Sequence, residues 1–387
     1  MRGPARIALG LILVGGAVVD GSAGAQIQQS SLTLNGRAFA LSPVELARLT
    51  DLGQTVHSIN RVAQDRALEA ARVVANGADA RYLLAIYQLE IGRQRQDDAL
   101  RAAALDVLIA DRQTPQDKLV SYLGVRGDIA FRSGDFATAS SLWSRLMQMQ
   151  PNDPQTLNNL AQARAALNDA EGAIGLLRGA IAATQAGPAP QVWYRQWLSI
   201  ASQARLLDQG VAAARALVTA YPTPGDWRDA LVVYRQLAAP QESAEIDLLQ
   251  LMRAAGVLAQ PAEYQRLAQL LLHAGNAGEG KNVLDEGITR GVVNRAEPPT
   301  PAIRAEIDRY IARPPLRSGP PPAFLNGPDA TARAALFAAA VASYRAGRRP
   351  EAEVQFRAVV QHEDGPGAAR WYPDLAAFWL IWLAQPR

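Results

Sequence analysis

GDFATASSLWSRLMQMQP, from Gly134 to Pro151, and NDAEGAIGLLRGAIAATQ, from Asn168 to Gln185, decide how this chain folds. Laid over each other, 34 residues apart, they share a turn former, a small residue five places on, and a large apolar residue four further. The sets are Gly134/Ala139/Trp143 and Asn168/Ala173/Leu177. The pattern reads again as Asp208/Ala213/Leu217, Gly275/Gly280/Leu284 and Gly347/Ala352/Phe356. Gly, Asn and Asp tolerate the left-handed conformation that stops one helix and starts the next. The small residue lets two helix backbones approach, and the large one lies on the same face and fills the groove between them. Leu157, Leu160, Ala161 and Leu167 share one face of the helix before the second turn. Ala173, Ile174, Leu177, Ala180 and Ile181 share one face of the helix after it, at helical rather than strand period. Between the two copies Asp153 can cap and Pro154 can occupy the first helical turn, a device repeated at Thr223-Pro224. The chain is therefore expected to be all-α.

The pattern resembles the tetratricopeptide repeat. Gly127, Gly134, Ala139, Trp143 and Pro151 carry the match in one copy, and Leu157, Ala161, Ala173 and Ala180 in the next. Trp197, Ala201, Ala213 and Ala220 carry it in a third. A 34-residue period with small residues at helix crossings is a signature of that family. Residues 121–222 match well, while the flanks match loosely and the unit from Trp227 to Gly256 lacks its turn residue. The resemblance implies an α-solenoid of stacked antiparallel helix hairpins, wound as a right-handed superhelix with a concave inner face.

The first 25 residues read as a secretory signal, with Arg2 and Arg6, an apolar run Ile7–Val19, and Ala23-Gly24-Ala25 as a small-x-small cleavage site. The run is 13 residues and broken by glycines, whereas a spanning helix needs about 20. Cleavage after Ala25 and a mature chain with no stable membrane insertion are expected. Export combined with zero cysteines suits a bacterial periplasm and leaves no disulfide or thiolate metal site. Losing Arg2, Arg6 and Asp20 lowers the formal charge from +3 to +2. Of 39 basic residues only Lys118 and Lys281 are lysines, and no basic cluster interleaves with aromatics, so nucleic acid is not an expected partner.

Residues 26–41 form a polar lead-in, where Leu32, Leu34, Asn35-Gly36, Phe39 and Leu41 suit a small hairpin as well as an unstructured stretch. Ser42-Pro43-Val44-Glu45 is a capping box with proline in the first turn. Helices follow, broken near Asn76-Gly77, with Thr114-Pro115 as the cap that opens the well-matched block. Repeats are expected over 42–296. Residues 297–328 hold nine of the 24 prolines and read as a linker or strap in which only Ala302–Ala312 can be helical. A last hairpin over 329–387 ends in Phe378, Trp379 and Trp382, read as an aromatic cap.

Candidate chemistry is sparse. Gly275 to Asn282 fits the phosphate loop G-x4-G-K, but Asn282 replaces the Ser or Thr that would hold magnesium, and the preceding run is helical rather than a strand. His57, His273 and His362 are isolated, and no nucleophile elbow or paired-histidine metal motif occurs. No catalytic residue, cofactor or metal is expected.

The leading reading is a non-catalytic periplasmic scaffold whose partner is a protein or an extended peptide. An accessory role in envelope polysaccharide export or outer-membrane assembly is the alternative, with a helical-toroid glycan enzyme behind it. By resemblance the first helix of each pair lines the inner face. That places Arg132 in one copy, Asn158, Asn159 and Gln162 in the next, and Arg195, Ser199, Ser202 and Arg205 in the third. Amides offer donors and acceptors to a peptide backbone, and arginine forks onto an anion. Asn159 and Arg195 partly match the family's carboxylate clamp, although Gly124 and Asp128 stand where its first lysine and asparagine belong.

Overall fold

A computed structural model describes residues 12–13, 30–34, 37–185, 187–312, 328–361 and 371–385. The cleavage site, Asn35-Gly36, the proline pairs after Arg313 and His362 lie outside the described residues. The chain divides into two compact units, 1–169 and 170–387.

In the first unit β1 (Ile12–Leu13), β2 (Ser30–Leu34) and β3 (Arg37–Leu41) form an antiparallel sheet in that order. Leu32 pairs with Phe39 and Thr33 with Ala38, while Ile12 of the apolar leader run pairs with Thr33. Along β3 the side chains alternate as a half-buried strand requires: Phe39 and Leu41 enter the core, Ala38 and Ala40 face out. Arg37 holds the hairpin down, 2.9 Å from Asp79 and 3.2 Å from Asp111, with its guanidinium 4.1 Å above the Tyr82 ring. The backbone N–H of Ala40 also donates to Asp79 at 2.9 Å.

Seven helices follow: α1 (Pro43–Thr55), α2 (Arg61–Val74), α3 (Ala78–Arg95), α4 (Asp98–Ala110), α5 (Gln116–Arg132), α6 (Phe136–Met149) and α7 (Pro154–Ala166). Short turns make α1 with α2, α3 with α4 and α5 with α6 hairpins, and α7 packs on α6. The capping box at the start of α1 is complete, and Glu45 reaches beyond it to accept from Gly77 at 3.0 Å and Asn76 at 3.3 Å. Partial burial pushes the Glu45 carboxyl up, but these N–H groups and Ser42 outweigh it and hold it below its usual range. The expected cap at Thr114 is not made. Its hydroxyl donates backward to the Leu108 carbonyl at 2.6 Å, and Pro115 is the N-cap of α5 without a side-chain bond. The hydroxyl closes the end of α4 because that carbonyl would otherwise be buried and unpaired.

The second unit holds α8 (Ala170–Ala183), α9 (Gln191–Gln203), α10 (Leu207–Ala220), α11 (Pro224–Ala238), α12 (Glu242–Ala254), α13 (Pro261–His273), α14 (Ala277–Thr289) and α15 (Thr300–Ile311). It closes with α16 (Pro328–Arg345), α17 (Arg349–Gln361) and α18 (Trp371–Leu383). α9 pairs with α10, α13 with α14 and α16 with α17. α15 lies inside the proline-rich segment yet packs on α13 and α14 through buried Ile303 and Ile307. The fold is all-α as expected: the described residues form eighteen helices and one small sheet.

The turns correct the register in two places. Gly134, Gly275 and Gly347 take positive φ two residues before a second helix begins. In the third copy that residue is Arg205, at φ 55°, and Asp208 sits in the first turn of α10. The small residue is then Gly210 rather than Ala213, the fourth residue of its helix as Ala139, Ala173, Gly280 and Ala352 are of theirs. Residue type misled the reading, because Asp favours turns and Arg does not. The sequence held the right signal in its prolines: Pro222 follows Gly210 by the same twelve residues that separate Pro151 from Ala139. The unit that lacked a turn residue uses Ala239, at φ 42°.

α18 does more than cap the last hairpin. Apolar on nearly every side, it must be covered all round. Trp379 stacks on Phe356, centroids 5.4 Å apart, and lies 4.7 Å from Tyr344. On the other side Phe378 meets Tyr234 at 5.5 Å, and Trp382 meets Trp227 edge-on at 5.8 Å. α18 thus packs back on α10 and α12, and α11 touches α12 over a shorter length than α9 touches α10. The C-terminal helix fills the space that a closed α11–α12 hairpin would occupy.

Candidate functional site

The eight expected groove residues divide between the units, with Arg132, Asn158, Asn159 and Gln162 in the first. Arg132 ends α5 and donates to Asp98 at 2.7 Å. That bond, with Arg101 also near, holds the Asp98 carboxyl below its usual range. Arg132 is thus a link between α5 and α4 before it is anything else.

α7 presents amides. Asn158 lies on the side of α7 shared by Leu157 and Ala161 and is 4% exposed, and its Oδ1 accepts no hydrogen bond from any described residue. Asn159 is half-buried and accepts from Gln155 Nε2 at 2.7 Å, one helical turn back. Gln162, also half-buried, stands one turn beyond Asn158. A buried amide oxygen without a donor costs about 1–3 kcal/mol, so Asn158 is the costliest of the eight residues to place where it is.

In the second unit Arg195, Ser199 and Ser202 lie on α9, and Arg205 does not. α9 ends at Gln203, so Arg205 stands exposed in the turn, a correction that follows from its positive φ. Ser199 accepts from Gln203 at 3.1 Å. Arg195 meets a carboxylate, but one from its own chain: its guanidinium is 2.9 Å from Asp226 on α11 and 4.0 Å from Asp229. Asp226 is wholly buried and also takes bonds from Gln191 at 2.6 Å and from the Thr223 hydroxyl.

The same clip recurs along the unit. The fifth residue of each first helix reaches the start of the next first helix: Arg195 to Asp226, Arg228 to Glu263 at 3.0 Å, and Gln265 to Thr300 at 3.1 Å. Burial pushes the Glu263 carboxyl up, but Arg228 and the N–H groups of Ala259 and Gln260 prevail and hold it low. The partners Asp226, Glu263 and Thr300 were not singled out from sequence. The available signal was an Asp or Glu at the third position of a helix, with an Arg at the fifth position of the helix two earlier.

The phosphate-loop resemblance resolves as a turn. Gly275 supplies the left-handed residue, and Gly280 crosses α13 so closely that a Cβ there would lie 2.9 Å from the Ala268 carbonyl oxygen. Lys281 points to Asp308 on α15, 3.7 Å away. One glycine makes the turn and the other the close crossing.

The hairpins are tetratricopeptide-like. Among solved structures the chain is similar to a tetratricopeptide repeat protein from Parabacteroides merdae, at 10% identity, covering 76% of this chain and 98% of that one, TM-score 0.36. It is similar to the P58(IPK) TPR domain at 13% identity, covering 89% and 100%, TM-score 0.28. A third is a structure of Naa15/Naa10 bound to HypK-THB, at 11% identity, covering 87% and 54%, TM-score 0.43. No protein-family model matches the chain, and no curated protein does. No helix among the described residues is long and apolar enough to cross a membrane.

Proposed function

We propose that this chain is an exported, non-catalytic scaffold that holds a protein or an extended peptide against the polar faces of its first helices. The neighbouring amides Asn159 and Gln162 carry the reading: half-buried on α7, they keep donor and acceptor groups at the surface, and an extended peptide backbone offers the matching N–H and C=O groups. Ser199 and Ser202 on α9 offer hydroxyls of the same use. Arg195 is not part of the recognition set, because Asp226 already occupies it. Export is supported by the Arg2 and Arg6 start, the apolar run and the Ala23-Gly24-Ala25 site.

The experiment places a photo-crosslinking residue at Gln162, at Ser199, or at the exposed second-helix positions Gln148 and Arg215. Crosslinking is done in the bacterial envelope, with the mass of the captured chain read at the same time. One partner captured at Gln162 or Ser199 and not at the other two supports the reading, as does a chain beginning at Gln26. Equal capture at all four positions overturns the binding face, and a chain retaining Met1 overturns cleavage after Ala25.

A further inference from the structure

Asn76-Gly77 is the turn that leads into α3, and of the chain's three Asn-Gly pairs it is the one that lies among the described residues. In such a pair the glycine has no Cβ in the way, so its backbone nitrogen can reach the asparagine side-chain carbon, Cγ. Both residues are exposed, yet both polar groups of the peptide that joins them are engaged. The Gly77 N–H donates to Glu45 Oε1 at 3.0 Å, and the Asn76 carbonyl accepts from Arg81 Nη1 at 2.9 Å. The Asn76 N–H donates to the Val74 carbonyl at 2.8 Å and to Glu45 Oε1 at 3.3 Å. Gly77 is the N-cap of α3, extended at φ −70° and ψ 156°, and its carbonyl accepts from the Arg81 N–H at 3.0 Å. Glu45 cannot follow a moving turn. It is buried, and its Oε2 is fixed by the Ser42 N–H at 2.9 Å and the Ser42 hydroxyl at 2.8 Å.

We propose that Asn76 is a deamidation site latched by Glu45, and that it converts to an aspartyl or isoaspartyl residue only when the tie between α1 and the α3 turn opens. The nitrogen that must attack is the one whose proton Glu45 holds. In the reaction Gly77 N bonds to Asn76 Cγ and the Cγ–Nδ2 bond breaks. Ammonia leaves with the proton that Gly77 N gives up. Water then opens the cyclic imide at either carbonyl and leaves a carboxylate. While the tie stands, the Gly77 N–H points at Glu45 instead of at Cγ, and the adjacent negative charge opposes loss of its proton. Glu45 is a poor base for that proton, since its own carboxyl is held below the ordinary value of 4.5. Conversion therefore proceeds through the locally opened state and follows its population. It also prevents closure. The new carboxylate belongs to a residue whose backbone N–H lies 3.3 Å from Glu45, and an isoaspartyl link lengthens the backbone by one carbon just where Gly77 must dock.

The test incubates the full chain at pH 8 and follows position 76 by peptide mapping, with aspartyl and isoaspartyl products separated. The folded parent is expected to convert about tenfold more slowly, or slower still, than the same chain in urea. Glu45→Ala, folded, should recover most of that difference. Leu108→Ala weakens the same buried core without touching the tie and should convert at the parent's rate. Should Glu45→Ala lose its fold, the decision passes to Glu45→Gln, which keeps the shape and loses the charge, and should convert several-fold faster than the parent. A folded parent as fast as the unfolded chain overturns the proposal. So does an equal rise in Leu108→Ala, because position 76 would then report overall unfolding. Conversion no faster in the deciding Glu45 variant than in the parent also overturns it, and slower conversion there would make Glu45 a base instead of a latch.

Discussion

Arg195 on α9 and Asp226 on α11 are joined at 2.9 Å, and the aspartate of that pair is sealed from solvent. The arginine resembles one that binds a partner's carboxylate, but here it neutralises the protein's own. Arg195→Ala therefore leaves a buried charge with only Gln191 and Thr223 to hold it. The expected cost is about 2–4 kcal/mol, read as a lower urea midpoint at unchanged slope. Arg195→Ala combined with Asp226→Asn removes the charge as well as its partner, and should recover part of the loss. An Arg195→Ala chain as stable as the parent would return this arginine to the binding face.

The helix pairs were legible because each rests on several agreeing signals: Asp153 with Pro154, Thr223 with Pro224, and small residues at crossings. Gly134 and Asn168 announce their turns because glycine and asparagine tolerate positive φ. Arg205 and Ala239 do the same work without announcing it, held there by the packing of the helices on either side. The candidate site was less legible. Asn158 and Arg195 are both polar residues on first helices, and sequence cannot say that one is buried with an idle oxygen while the other is taken by Asp226. That difference depends on a contact between residues 31 apart. The reach of α18 back to Trp227 was not legible at all, since an aromatic helix looks the same whichever surface covers it.

The crossings give a second prediction. Ala173 is wholly buried at the fourth position of α8, and Gly280 stands at the same position of α14 against a backbone carbonyl. Ala173→Leu and Gly280→Ala should each cost about 1–3 kcal/mol by overpacking. A control at Ala212, exposed on α10, should change little. Equal melting of Ala173→Leu and the parent would refute the register drawn through α8.

Phe378 supplies a third. Its ring is wholly buried between Tyr234 and Trp227, far upstream in the chain. Phe378→Ala should cost about 3–5 kcal/mol and should hasten amide exchange in α11 and α12 as well as in α18. Faster exchange confined to α16–α18 would mean that the C-terminal helix caps only its own hairpin.

The last concerns acid. Glu45 ties the start of α1 to the turn before α3, accepting from Ser42, Asn76 and Gly77. Its carboxyl is held below the ordinary value of 4.5, so the folded chain binds this proton less readily than the unfolded one. The stabilisation is complete above the unfolded value and drains away as pH falls through the lower folded one. Glu45→Ala strips three N–H groups of their acceptor and should cost about 1–3 kcal/mol at pH 7. The gap between variant and parent, measured by urea unfolding, should narrow steadily below pH 4.5 as the parent loses the same bonds to protonation. A gap of constant size from pH 7 to pH 3 would mean that Glu45 acts by filling space, and that its charge is idle.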